Sequence, residues 1–176
     1  DTADSERIIK DIVKDFNLDD KVYQHRTLLN YISRAKDAME TPAAFIARWE
    51  KLGDRRMTNI GKCYEEYQRR LKNSNAVDFD DIILKTVELL ENDEETRTFY
   101  QRKFRYVLID EYQDTNNLQY RLASLLAGGR NNICVVGDDD QSIYRFRGAT
   151  IENILNFEKQ YKNARTIRLE QNYRST

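Results

Sequence analysis

Tyr106-Val107-Leu108-Ile109 runs directly into Asp110-Glu111-Tyr112-Gln113-Asp114, and Ile133-Cys134-Val135-Val136 runs into Gly137-Asp138-Asp139-Asp140-Gln141. Each apolar run is short and lacks polar alternation, the pattern of a strand buried on both faces. Between them Asn116 to Ala127 reads as a helix with Leu118, Leu122, Leu125 and Leu126 on one face, stopped by Gly128-Gly129. Strand, helix and strand over roughly 30 residues make a βαβ unit, so the strands should be parallel and both acid clusters should lie at one sheet edge. Open α/β sheets bind ligands at that carboxyl edge. The expected fold class is therefore α/β with a parallel sheet.

Acids at that edge suit phosphate chemistry. Asp110 can hold a magnesium ion and Glu111 can take a proton from an attacking water; acids solvated in a strand-end loop explain the pair equally well. Gln141 can orient water or touch a terminal phosphate. Tyr144 and Phe146 alternate with Arg145 and Arg147, which in extended backbone puts both rings on one side. Base stacking and buried packing are both open to those rings.

From Asp1 to about Asn75 the pattern is helical. Ser5 is read as the cap of a helix presenting Ile8, Ile9, Ile12, Val13 and Phe16, and Thr27 as the start of a second with Leu28, Leu29, Ile32, Ala35 and Met39. Thr41-Pro42 opens a third, carrying Phe45, Ile46, Trp49 and Leu52 and stopped by Gly53. A fourth, from about Asn59 to Asn73, presents Ile60, Cys63, Tyr64, Tyr67 and Leu71. These stripes are read as core. Asp78-Phe79-Asp80-Asp81 opens a fifth helix with Ile82, Ile83, Val87, Leu89 and Leu90, its acids suited to the helix dipole. A sixth, about Glu94 to Lys103, leads into the first strand. Beyond the second strand, Thr150 is expected to cap a helix with Ile151, Ile154, Leu155 and Phe157, and Thr166–Leu169 to form a third strand.

With 176 residues, 40% of them hydrophobic, the chain can build a core, and its net charge of −1 excludes a global basic field. A nucleic-acid partner would need local patches. One candidate is Arg48 to Lys72, with eight basic against four acidic residues; Asp78 to Glu95, with eight acids and one base, is an acidic face unsuited to nucleic acid. Cys63 and Cys134 are expected to be reduced core thiols, and His25, the single histidine, a surface or helix-end residue. Neither a signal peptide nor an apolar run near ~18 residues is present, so a cytoplasmic location without a membrane partner is expected. The chain begins at Asp1 without a methionine, and is expected to come from within a longer protein.

Asp-Glu-Tyr-Gln-Asp-Thr from Asp110, Val-Gly-Asp-Asp-Asp-Gln-Ser-Ile-Tyr-Arg-Phe-Arg-Gly-Ala from Val136, and Leu-Glu-Gln-Asn-Tyr-Arg-Ser-Thr from Leu169 together resemble three successive motifs of superfamily 1 DNA helicases of the UvrD/Rep/PcrA group. The resemblance implies the core of a P-loop, RecA-like motor domain over residues 78–176, incomplete, with an all-helical inserted subdomain over residues 1–77 that contacts duplex DNA. It implies ATP and Mg2+ as cofactors, and 3′ to 5′ movement on single-stranded DNA and at single-/double-strand junctions. By resemblance Asp110 binds magnesium, Glu111 activates water, Gln141 links the γ-phosphate to the DNA site, Tyr173 lies against the nucleotide's base or ribose, and Arg174 stabilises charge on the terminal phosphate. Tyr144 and Phe146, with Arg147, would contact DNA. The family usually carries tryptophan where Phe146 stands and a small residue where Asp139 stands.

No Gly-x-x-x-x-Gly-Lys-Ser/Thr occurs; the single Gly-Lys, Gly61-Lys62, is followed by Cys63 in a helical pattern. By itself the chain is therefore expected not to hydrolyse ATP. Two other functions stay open on the residues alone: a magnesium-dependent phosphohydrolase or nuclease using Asp110, Glu111 and Asp138–Asp140, and a non-catalytic single-strand-binding module using Tyr144, Phe146 and the basic helices. Metal-dependent cleavage without nucleotide marks the first, and DNA binding indifferent to nucleotide marks the second.

Overall fold

The computed structural model describes residues 2–138, 157 and 159–168. Six helices come first: α1 (Thr2–Asp15), α2 (His25–Asp37), α3 (Pro42–Lys51), α4 (Arg55–Asn73), α5 (Phe79–Asn92) and α6 (Glu94–Lys103). Strand β1 (Val107–Ile109), a 3-10 turn (Tyr112–Asp114), helix α7 (Asn117–Ala127) and strand β2 (Ile133–Val135) follow. The described part is thus mostly helical with a small two-stranded parallel sheet.

Local chemistry sets most helix starts. Thr41 accepts from the Ala44 N–H ahead of Pro42, Asp54 caps α4 through the Met57 N–H, and Asp93 caps α6 through the Thr96 N–H. Two starts are reciprocal capping boxes, Asp78 with Asp81 on α5 and Asn116 with Gln119 on α7. Gly53 ends the α3 segment at φ 71°, a left-handed conformation that a Cβ would penalise.

Three helix starts differ from the sequence reading. Helix α1 begins at Thr2, so Ser5 lies inside it and its hydroxyl meets the Tyr67 hydroxyl at 3.0 Å instead of capping. Helix α2 begins at His25, two residues ahead of Thr27, and α4 at Arg55, where Asp54 supplies a better cap than the apolar pattern could reveal.

The first four helices share one core of Ile9, Ile12, Leu28, Ile32, Phe45, Ile60, Cys63 and Tyr67 among others. A second, smaller core joins Leu84 and Val87 of α5 to Leu118 of α7. The stripe on α5 is narrower than its composition suggested, since Ile82 and Leu89 are exposed.

The βαβ unit forms as expected, with Val107 beside Ile133, Leu108 beside Cys134 and Ile109 beside Val135 in parallel register. The expectation of strands buried on both faces is corrected: along each strand half-buried ends flank an exposed centre, Leu108 being 76% exposed. Helix α7 packs on β1, and no described element covers the face carrying Leu108 and Cys134. Cys134 is accordingly exposed, against its reading as a core thiol, while Cys63 is buried and burial pushes its thiol up to about 11. Residues 164–168 form no strand, having no ladder partner among the described residues, and Leu169 lies outside them. The expected helix from Thr150 lies outside the described residues apart from Phe157, whose ring meets Tyr112 edge-on at 5.9 Å.

Candidate nucleotide site at the strand ends

The loops after β1 and β2 meet at one edge because the strands are parallel. Beyond the ladder, the Val136 N–H donates to the Ile109 carbonyl (2.8 Å) and the Tyr112 N–H to the Val136 carbonyl (2.9 Å), which draws the two loops together. Asp110 and Glu111 are both exposed there. The Asp110 carboxylate accepts from the Glu111 N–H at 2.9 Å, which fixes one of its oxygens and leaves the acid on the outer rim.

Glu111 itself has φ 50° and ψ 43°, the left-handed region that costs a residue with a Cβ about 1–2 kcal/mol. Surrounding bonds hold this conformation. The Asp114 N–H donates to the Glu111 carbonyl (2.9 Å), and the side-chain amide of Gln113 donates through Nε2 to Glu111 Oε2 at 2.6 Å. Gln113 is buried, and its own Oε1 accepts from the Asp138 N–H at 3.0 Å. Gly137 makes that approach possible: a Cβ there would lie 3.0 Å from Gln113 Oε1 and 3.4 Å from both the Gln113 nitrogen and the Tyr112 Cβ.

Tyr112 is buried beside this loop, and burial raises its hydroxyl pKa. Among the described residues no group of three or more His, Cys, Asp or Glu could hold a metal by itself. Magnesium needs less than that, since it is commonly held by one or two carboxylates together with phosphate oxygens and water. Asp110, a hard oxygen donor on the exposed rim, fits that mode.

The structure thus brings Asp110, Glu111 and Asp138 to one edge. Gln141, Tyr144, Phe146, Arg147, Tyr173 and Arg174 lie outside the described residues, as do Asp139 and Asp140. Sequence reading missed Gln113, and no local signal marks it, because the partner of its Oε1 is Asp138, 25 residues further on.

It also missed Lys36, which is 0% exposed with Nζ 2.6 Å from Asp78 Oδ2 and 2.9 Å from Asp81 Oδ1. The signal was spacing: Lys36 falls four residues after Ile32, within the apolar stripe of α2. One residue on, Asp37 accepts from the Asn116 side chain at the start of α7 (2.9 Å).

The basic stretch divides in two. Arg48 pairs with Glu40, and Arg69 and Arg70 both pair with Glu66. Among the described residues Lys51, Arg55, Arg56, Lys62 and Lys72 are exposed and stand outside the ion pairs. Three of them cluster at the turn between α3 and α4.

The family described as UvrD/REP helicase N-terminal domain matches residues 1–162. The chain is similar, at 47% identity over all 176 of its residues, to the ATP-dependent DNA helicase PcrA of Staphylococcus aureus, of which it covers 24%. It is 49% identical over its whole length to the ATP-dependent DNA helicase PcrA of Bacillus subtilis, covering 23% of that protein. The chain therefore spans about a quarter of the length of these curated relatives.

Proposed function

Because the chain belongs to the UvrD/REP helicase family, we propose that it is the part of an ATP-dependent DNA helicase that carries the hydrolytic acids and a helical DNA-contacting subdomain. The whole protein would couple ATP hydrolysis to 3′ to 5′ movement on single-stranded DNA and to opening of the duplex at a junction. Residues 1–77 form the inserted subdomain in this reading and residues 78–176 part of the RecA-like motor.

One observation carries the hydrolytic half of the proposal. An exposed glutamate is held in a left-handed conformation at the carboxyl edge of a parallel βαβ unit, with a second acid beside it. Strained backbone of this kind persists where the surroundings over-determine it, and such places cluster at functional sites. Glu111 is the general base that takes the proton of the attacking water, while Asp110 would hold magnesium, which would supply neutralisation of phosphate charge. Gln141 and Arg174 address the γ-phosphate, and Tyr173 the nucleoside. Tyr144, Phe146 and Arg147 grip the single strand, and the exposed bases around the α3–α4 turn reach duplex phosphates.

Glu111→Gln in the full-length protein tests the assignment. ATP binding should remain within a few-fold of wild type, and turnover should fall by roughly 10²-fold or more, because only the proton acceptor is lost. Turnover that stays within a few-fold of wild type would show that Glu111 is not the base.

A further inference from the structure

We propose that Gln113 is the positioning residue for Glu111, fixing the carboxylate of the general base to the backbone that leaves β2; this rests on the assignment of Glu111 made above. Gln113 is 2% exposed, so it does not reach solvent-borne substrate directly. Both ends of its amide are engaged, Nε2 donating to Glu111 Oε2 at 2.6 Å and Oε1 accepting from the Asp138 N–H at 3.0 Å.

The partners dictate the residue type. A backbone N–H can only donate and an ionised carboxylate can only accept, so the bridging side chain must carry an acceptor at one end and a donor at the other. A primary amide does so, and the two partners also fix which end is oxygen and which nitrogen. Glutamate in its ionised form would keep the acceptor and lose the donor. Asparagine carries the same amide on a stem one methylene shorter, so from this backbone position it stops short of the two partners.

Two further features serve this bridge. Gly137 leaves the space into which Gln113 Oε1 fits, a Cβ there lying 3.0 Å from that oxygen. The 3-10 turn that follows Glu111 brings the Gln113 side chain back beside the Glu111 carboxylate, two residues earlier. The bond engages Oε2 of a glutamate that is otherwise exposed. A general base must present one lone pair in a fixed direction, and a freely rotating exposed glutamate would do so only part of the time. The same bridge ties that direction to Asp138, so movement of the chain after β2 is passed to the base.

The test uses the full-length protein and single-turnover ATP hydrolysis with single-stranded DNA present. Gln113→Ala and Gln113→Glu are compared with wild type, each alone and combined with Glu111→Gln. Both single variants should lower the hydrolysis rate about tenfold with the KM for ATP within about twofold of wild type. Gln113→Glu keeps the acceptor for the Asp138 N–H and sets a second carboxyl against Glu111, so its loss arises at the Glu111 end, from the changed donor and the added like charge together. In the Glu111→Gln background neither substitution should lower the rate further, because a residue that acts through Glu111 has nothing left to position.

Rates within twofold of wild type for both single variants would overturn the proposal. So would a tenfold loss that recurs undiminished in the Glu111→Gln background, which is the signature of a merely structural residue. If Glu111→Gln itself leaves the rate unchanged, the assignment of the base falls and this proposal with it; if Glu111→Gln is slow but the losses add, the positioning role alone falls.

Discussion

Lys36→Met removes a cation that is fully enclosed and keeps most of its volume. The ammonium lies 2.6 Å from Asp78 Oδ2 and 2.9 Å from Asp81 Oδ1, and 5.4 Å from the centre of the Tyr67 ring. Asp81 is itself 2% exposed. Without the lysine two neighbouring carboxylates stay in a site of low polarity with no countercharge, a change that typically costs 3–5 kcal/mol. Some compensation exists: Tyr67 donates to Asp78 Oδ2 (3.0 Å), Gln68 donates to Asp81 Oδ1 (3.2 Å), and the capping-box amides donate to both acids. The expected loss is therefore at the lower end, about 3 kcal/mol, read as a fall in the urea midpoint of the 176-residue chain followed by far-UV circular dichroism. Adding Asp81→Asn to Lys36→Met should restore part of that loss, since one of the stranded charges is then gone. A loss below about 1 kcal/mol for Lys36→Met, or no recovery in the double variant, would refute the idea that an enclosed charge cluster holds α5 against α2.

Gly61→Ala should destabilise by about 1–3 kcal/mol, because the added methyl would sit 2.6 Å from Ile46 Cγ1 and 3.0 Å from Phe45 Cδ1 at the α3–α4 contact; a melting temperature equal to wild type would contradict this. Glu66 is held down to about 2, chiefly by the hydrogen bonds from Arg69, with Arg70 adding to it. A depressed carboxylate stabilises the fold above its unfolded pKa of about 4.5 and loses that contribution as pH falls toward about 2. After allowance for exposed Arg69 this amounts to about 1 kcal/mol, so Glu66→Gln should cost about that at pH 6 and nothing measurable near pH 2; a pH-independent difference would rule it out. Phe146→Ala in the full-length protein should weaken single-strand binding by about 1–3 kcal/mol with an unchanged salt slope, as base stacking and not phosphate contact is lost. A sharp drop in melting temperature with unwinding lost only in proportion to folded protein would instead make the ring core.

What could be read from sequence was what depends on near neighbours. Thr41-Pro42, the start of α5 at Asp78 and the i, i+3, i+4 stripes of α1 to α4 are local signals; they appear as caps and core faces, except that Phe16, Met39 and Leu52 fall beyond their helix ends and are exposed. The parallel pairing of β1 and β2 was also legible, since a single crossover helix permits little else. Side-chain burial on the strands was not, because a continuous apolar run says what a strand tolerates, and only the elements packed on each face decide what is covered. Leu108 and Cys134 illustrate this. Bonds between distant positions were equally hidden. Nothing near Asp78 or Asp81 shows that their partner is Lys36, 42 residues earlier in the first case. Asp78 caps α5 and Asp80 and Asp81 stand in its first turn, and the bonds of Asp78 and Asp81 to Lys36 come in addition.

The last turn of α2 gives those distant bonds a common meaning. Lys36 reaches the residue that caps α5, and Asp37 reaches Asn116, the residue that caps α7. Two consecutive residues of one helix thus hold the first turns of two others, and α7 follows directly on the loop that carries Glu111 and Gln113. An N-cap bond and a cross-helix bond compete for the same side-chain atoms only if the geometry is poor. Here the capping amides use Oδ1 of Asp78 and Oδ1 of Asn116, while Asp78 Oδ2 and the Asn116 Nδ2 are left for α2. Each cap is therefore a joint as well as a terminus. Buried, charged bonds join α2 to the chain at Asp78, so displacement of α2 must either carry the starts of α5 and α7 with it or expose Lys36 to water.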